Sequence, residues 1–160
     1  MSVVTCSREI EATPDLVFNV FTAGLGDWWP LPYTFSGAAC ADAALELHAG
    51  GEWYERTLKG ERLSWGKVKA FDPGRRLVLE FCVGVDRKPI SSEHSSTVEI
   101  RFDALERGGT CVRVEHRDFE RQGPAGVQQR EGMGSEQGWP LILAELVRGV
   151  RVAIRGASQA

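Results

Sequence analysis

The segment that most constrains what this chain can fold into is its last one. At about 100° per residue, Trp139, Ile142, Leu143, Leu146, Val147, Val150, Ala153 and Ile154 fall on one stripe, with Arg148, Arg151 and Arg155 opposite. The spacing predicts a long amphipathic helix whose arginines gather toward the negative end of its dipole, with Pro140 tolerated in the first turn. One apolar stripe needs one apolar surface to cover it, and the residues upstream supply a sheet.

Val3 to Glu11 reads as a first strand with Ile10 inward. Thr13-Pro14-Asp15 then offers an N-cap hydroxyl, a proline at the first helical position and an acid at the positive end of a helix. Val17, Phe18 and Phe21 recur at helical spacing until Gly24 and Gly26 stop it before Trp28-Trp29-Pro30. From Ala44 onward the period changes to two. Leu45 and Leu47 turn at Gly50-Gly51 into Trp53 to Leu58, and Leu63 to Phe71 places Gly66, Val68 and Ala70 on one face with Lys67 and Lys69 on the other. Arg76 to Val83 is nearly all apolar. Thr97 to Leu105 alternates Val98, Ile100 and Phe102 with Glu99, Arg101 and Asp103, giving the sheet one wet face. Gly108-Gly109 closes a hairpin into Thr110 to Phe119, where Val112, Val114 and His116 share the inward phase. The glycine-rich stretch 123–138 reads only as a weak or broken start to a helix. The order predicts an α+β fold: a curved antiparallel sheet of about six or seven strands wrapped around a long C-terminal helix, as a single domain over 1–160.

Composition narrows the function classes. The 160 residues carry 19 basic and 22 acidic side chains, a formal charge of -3, without the basic excess that a nucleic acid demands. The apolar run from Trp139 to Val147 is broken by Glu145 and falls short of the roughly 30 Å of a bilayer core, so no membrane span is expected. The N-terminus lacks the basic segment and apolar run of a secretory leader, which makes the cytoplasm the default location. Cys6, Cys40, Cys82 and Cys111 are far apart and read as small buried hydrophobes; with His48, His94 and His116 equally scattered, neither a metal site nor a cofactor is expected.

Several motifs occur together in order: Ala12-Thr13-Pro14 with Val17-Phe18, Trp28-Trp29-Pro30, Gly50-Gly51-Glu52-Trp53, Trp65-Gly66-Lys67-Val68, Phe71-Asp72-Pro73, Arg76-Leu77, Gly108-Gly109-Thr110 and Gly138-Trp139 with leucines after it. From about Ser7 to Val150 this set resembles the activator of heat-shock-protein-90 ATPase homologue family, within the START-like, birch-allergen-like SRPBCC superfamily. The resemblance implies a helix-grip fold. It also brings a chaperone-interacting role into view; in the eukaryotic activator such a domain is joined to a separate N-terminal domain, for which no residues remain here. A fold that hosts carriers, cyclases and regulators does not select among them.

A curved sheet closed by one helix leaves space to fill, and small inward residues such as Gly66 and Ala70 predict a cavity. Its expected walls are Trp29, Trp53, Phe81, Phe102, His116 and Trp139, and its expected occupant is a small hydrophobic or amphipathic molecule. Each aromatic side chain has an alternative reading as plain core packing, and His116 has one as a core imidazole bonded to a backbone carbonyl. A cyclase- or hydrolase-type enzyme is the competing class; it requires His116 beside a second polar group, and no catalytic set is legible. The polar loop over 86–96 reads as solvated, and Tyr54 as outside.

Overall fold

The computed structural model describes residues 3–159, with side chains through 157. Met1, Ser2 and Ala160, which end the expected domain, lie outside the described residues. Strand β1 (Val4–Ile10) leads into helix α1 (Pro14–Thr22), where the Thr13 hydroxyl accepts the Leu16 N–H at 3.3 Å and Pro14 opens the helix. Short 3-10 turns at Leu25–Asp27, Leu31–Tyr33 and Gly37–Ala39 precede β2 (Cys40–Leu45), β3 (Glu52–Thr57), β4 (Arg62–Asp72) and β5 (Arg76–Phe81). Then come β6 (Ser96–Ala104), β7 (Thr110–Arg117), α2 (Gly126–Gly134) and α3 (Trp139–Gln159).

All neighbouring strands are antiparallel, in the order β1-β7-β6-β5-β4-β3-β2, and the sheet curls as a half-barrel around α3. Its dry face comes from the inward phases of each strand: Val98, Ile100 and Phe102 on β6 meet Val112 and Val114 on β7, all at most 2% exposed. α3 answers with Trp139, Ile142, Leu143, Leu146 and Val150, each fully buried. The stripe expected to run on to Ile154 ends earlier, with Ile154 37% exposed, because the last turns of α3 pass beyond what the sheet covers. Near its middle α3 carries Gly149, where a Cβ would stand 2.6 Å from the Cβ of Trp28; the glycine lets α3 approach the aromatic cluster closely.

Trp65 is fully buried although strict alternation on β4 gives it the phase of Lys67, because a bulge between the Trp53–Gly66 and Tyr54–Ser64 pairs reverses the phase. Two further expectations change. Gly66 leaves no space inside. At φ +143° its missing Cβ lets β5 approach, and a Cβ there would meet the Glu80 carbonyl at 2.2 Å. Of the cysteines only Cys82 is buried; the other three are half-buried. The glycine-rich segment does form a helix, α2, but it buries only Gly126, Gln129 and Met133 and so carries no apolar stripe for periodicity to detect.

On the convex face, Glu99 is 7% exposed although its strand phase is the wet one. Arg76, Arg101 and Arg117 reach it at 3.0, 2.8 and 3.0 Å. Burial acts to raise its pKa, but hydrogen bonds from Arg76 and Arg117 prevail and hold the carboxyl below its ordinary range.

Candidate functional site

Beneath the sheet the tryptophans form a continuous array. Trp29 lies 5.4 Å from Trp53 and 5.3 Å from Trp65, ring centre to ring centre, and Trp53 lies 5.4 Å from Trp65. Trp53 continues to Phe81 at 6.0 Å, Phe81 to His116 at 5.0 Å, and His116 to Trp139 at 5.9 Å. Five of the six residues expected to line a cavity are thus brought into one chain of contacts. Phe102 stands apart, packed edge-on against Phe18 at 5.2 Å beneath α1. All six are between 0 and 7% exposed, so in this conformation their rings pack mainly on one another.

The polar edges of this array are already engaged. Trp28 donates to the Val20 carbonyl, Trp29 to that of Tyr33, Trp53 to that of Glu80, Trp65 to the Glu55 carboxylate and Trp139 to His116. Glu55 is the residue that strand phase could have found and that the sequence reading passed over: it shares the inward phase of Trp53, two residues before it. Fully buried, it accepts Trp65 Nε1–H at 2.7 Å, the Phe35 and Ser36 amides at 2.6 and 2.9 Å, and the Ser36 hydroxyl. Four donors converge on one carboxylate and pin the 31–37 segment beside the tryptophans.

His116 is fully buried and stands next to Ser96, also fully buried, with Nε2 2.7 Å from Oγ. Of the polar 86–96 loop only Ser95 and Ser96, where it enters β6, are buried; residues 86–94 are exposed or half-buried, as their composition implies. The Trp139 indole N–H lies 3.0 Å from His116 Nδ1, and since an indole can only donate, Nδ1 accepts and the proton of the neutral ring sits on Nε2. Nε2–H then donates to Ser96. That is the reverse of the arrangement in which an imidazole lone pair takes a serine proton, so the pair is not poised for nucleophilic chemistry. Burial drives the His116 pKa from 6.5 down to about 3, consistent with a ring that stays neutral. A ligand would have to displace Ser96 or Trp139 to reach either nitrogen. Burial, then the nearby Glu80, pushes the Cys82 thiol up to about 11, which removes it as a nucleophile near neutral pH. Among the described residues no three His, Cys, Asp or Glu side chains converge as a metal centre requires.

Openings lie around the array. Trp28 and Trp29 with Pro30, Leu31, Leu141 and the Glu145–Arg148 ion pair border a cleft of about 430 Å³ between α3 and the first 3-10 turns. The turn ending at Tyr33 also borders a smaller cleft of about 210 Å³ against α2. A third, of about 660 Å³, lies near the start of α1 and includes Phe102, but charges of both signs crowd it, Arg76 and Asp72 standing 3.8 Å apart. No described helix is long and apolar enough to cross a membrane.

A seven-stranded antiparallel sheet curled around its C-terminal helix is the helix-grip arrangement of the START-like SRPBCC superfamily. Residues 11–150 match the profile of the family described as Activator of Hsp90 ATPase homolog 1-like protein, and the chain belongs to that family. Among curated proteins none matches. The chain is similar to Txn09, an anthrahydroquino-Gama-pyrone synthase, with 25% identity and a TM-score of 0.65 over 93% of this chain and 97% of that one. It is also similar to CalC, a self-sacrificing resistance protein from Micromonospora echinospora, with 26% identity and a TM-score of 0.62 over 92% and 93%. SA2116 from Staphylococcus aureus, a protein of unknown function, shares the fold at 14% identity, with a TM-score of 0.67 over 96% of each chain.

Proposed function

We propose that this protein binds a small hydrophobic or amphipathic molecule in the cleft between α3 and the Trp28–Pro32 segment. The observation that carries this is Trp29, whose ring belongs to the interior aromatic array and also borders a cleft of about 430 Å³. That volume lies within the range usual for small-molecule sites, and the Glu145–Arg148 pair at its rim offers a polar head one charged partner of each sign. The likeness to a synthase named for a fused aromatic product supports a flat, mostly apolar ligand. Binding is favoured over catalysis by the state of the polar groups: His116 and Ser96 face each other with the wrong proton placement, and the indole N–H groups are all committed.

Titration with 1-anilinonaphthalene-8-sulfonate, read by probe and tryptophan emission, tests this. Saturation near one probe per chain is expected, because an indole at the cleft wall senses an apolar ring placed against it. Leu141, half-buried on α3, lines the cleft without completing the core, so Leu141→Arg should weaken binding about tenfold or more while the fold persists. Leu58→Ser, at an exposed turn, should change nothing. Unsaturable binding, or equal affinity in Leu141→Arg, would overturn the reading.

A further inference from the structure

The geometry points to a second, polar ligand site in the cleft between Tyr33, Arg87 and α2, which takes the hydroxyl of a monocyclic phenol bearing a carboxylate. It is separate from the apolar cleft and shares with it only the turn at Pro30–Tyr33.

The argument begins at Gln129, the one polar side chain that α2 buries, at 3% exposure. Its Nε2 donates to the Val83 carbonyl at 2.6 Å, and since a carbonyl can only accept, this bond fixes which end of the amide points where. Oε1 is left buried with no hydrogen-bond partner among the described residues. A buried acceptor without a donor is costly, and a leucine would pack the same position without that cost. Gln129 borders the cleft together with Tyr33, Val85, Arg87, Gly132 and Met133. Oε1 itself is covered in this conformation, and an N–H or O–H brought into the cleft by a ligand supplies the donor it lacks once the side chains over it move aside.

The rest of the cleft selects the class. Arg87 adopts φ +61°, unusual for a residue with a side chain, and its guanidinium is held 4.0 Å over the Tyr33 ring while Nε donates to the Pro32 carbonyl at 3.1 Å. Tyr33 is fixed in turn by donating its hydroxyl to the Gln137 carbonyl at 2.5 Å. A positive charge pinned at the cleft excludes a cation and favours a carboxylate. Val85 and Met133 supply apolar surface for a ring between the two polar ends. About 210 Å³ is below the range of drug-sized sites, which limits the ligand to a single ring.

The experiment is an amide NMR titration of the whole chain with 4-hydroxybenzoate and, separately, benzoate. Expected are shifts grouped at the Gln129 side-chain amide and the Gly132 and Met133 backbone amides, saturating in the millimolar range, with 4-hydroxybenzoate bound about three- to tenfold tighter than benzoate. Gly132 is exposed on α2, and a Cβ there meets nothing within 4 Å, so Gly132→Leu fills the cleft without touching the core and should abolish the shifts. The same variant should bind 1-anilinonaphthalene-8-sulfonate as before, which separates this site from the apolar cleft. Equal affinity for the two acids, no shifts at tens of millimolar, or binding that survives Gly132→Leu would each overturn the assignment.

Discussion

His116 has a pKa driven from 6.5 to about 3 by burial, and the sign of its effect on stability follows. Between those values the unfolded chain holds a proton that the folded chain refuses. Stability that is fully present above about pH 6.5 is therefore lost as pH falls toward 3, at up to about 1.4 kcal/mol per pH unit from this group. Glutamine can still accept from Trp139 but does not titrate. Urea unfolding between pH 4 and 7 should show His116→Gln losing stability less steeply than the parent, with carboxylate contributions cancelling between them; parallel curves would mean that the folded imidazole titrates normally. Glu55 is the complementary case. In Glu55→Gln an NH₂ must replace one acceptor oxygen against Phe35, Ser36 or Trp65, at a cost of about 1–3 kcal/mol, read as a lower urea midpoint with an unchanged slope. The inward phase of both residues was legible from strand alternation. Their partners were not, because Ser96, Ser36 and Trp139 come from three other segments, and only the closed sheet brings them within hydrogen-bond reach.

At the scale of elements, α3 was legible because one side of it is apolar for several turns, and the β6–β7 hairpin because both strands alternate and Gly108-Gly109 marks the turn. The phase of Trp65 was not, since one bulge inverts everything before it, and α2 was not, since its inner face is glycine, glutamine and methionine. Gly149 offers a test in which two local effects oppose each other. Helix propensity alone makes Gly149→Ala stabilising by about 1 kcal/mol. A Cβ 2.6 Å from Trp28 makes it destabilising, because overpacking a close contact costs about 1–3 kcal/mol. Thermal melts should show a lower Tm for Gly149→Ala; a higher one would mean that α3 rides farther from Trp28 than described.

For the whole molecule, the pairing of β1 with β7 ties residues 4–10 to residues 110–116, so the sheet is complete only when its first strand in sequence has met its last. Local unfolding of one part should expose the rest. All five tryptophans are at most 7% exposed, and their emission should shift to the red together with loss of far-UV circular dichroism in one transition. Emission changing at lower urea than circular dichroism would show the aromatic array loosening while helices and sheet survive. The same topology bears on how copies of this chain meet at high concentration. A curled sheet that does not close has two edge strands, β1 and β2, each a possible template for another chain. β1 lies against α2 and α3, while the turn at Leu25–Asp27 packs on β2 so closely that a Cβ at Gly26 would stand 2.8 Å from the Ala43 carbonyl. On β2 the Asp42 carboxylate accepts the Ala43 N–H at 2.8 Å, and the strand is irregular between Cys40 and Asp42. Strand addition would meet a covered carbonyl, an occupied amide and a negative charge, so neither edge invites the growth of a fibre.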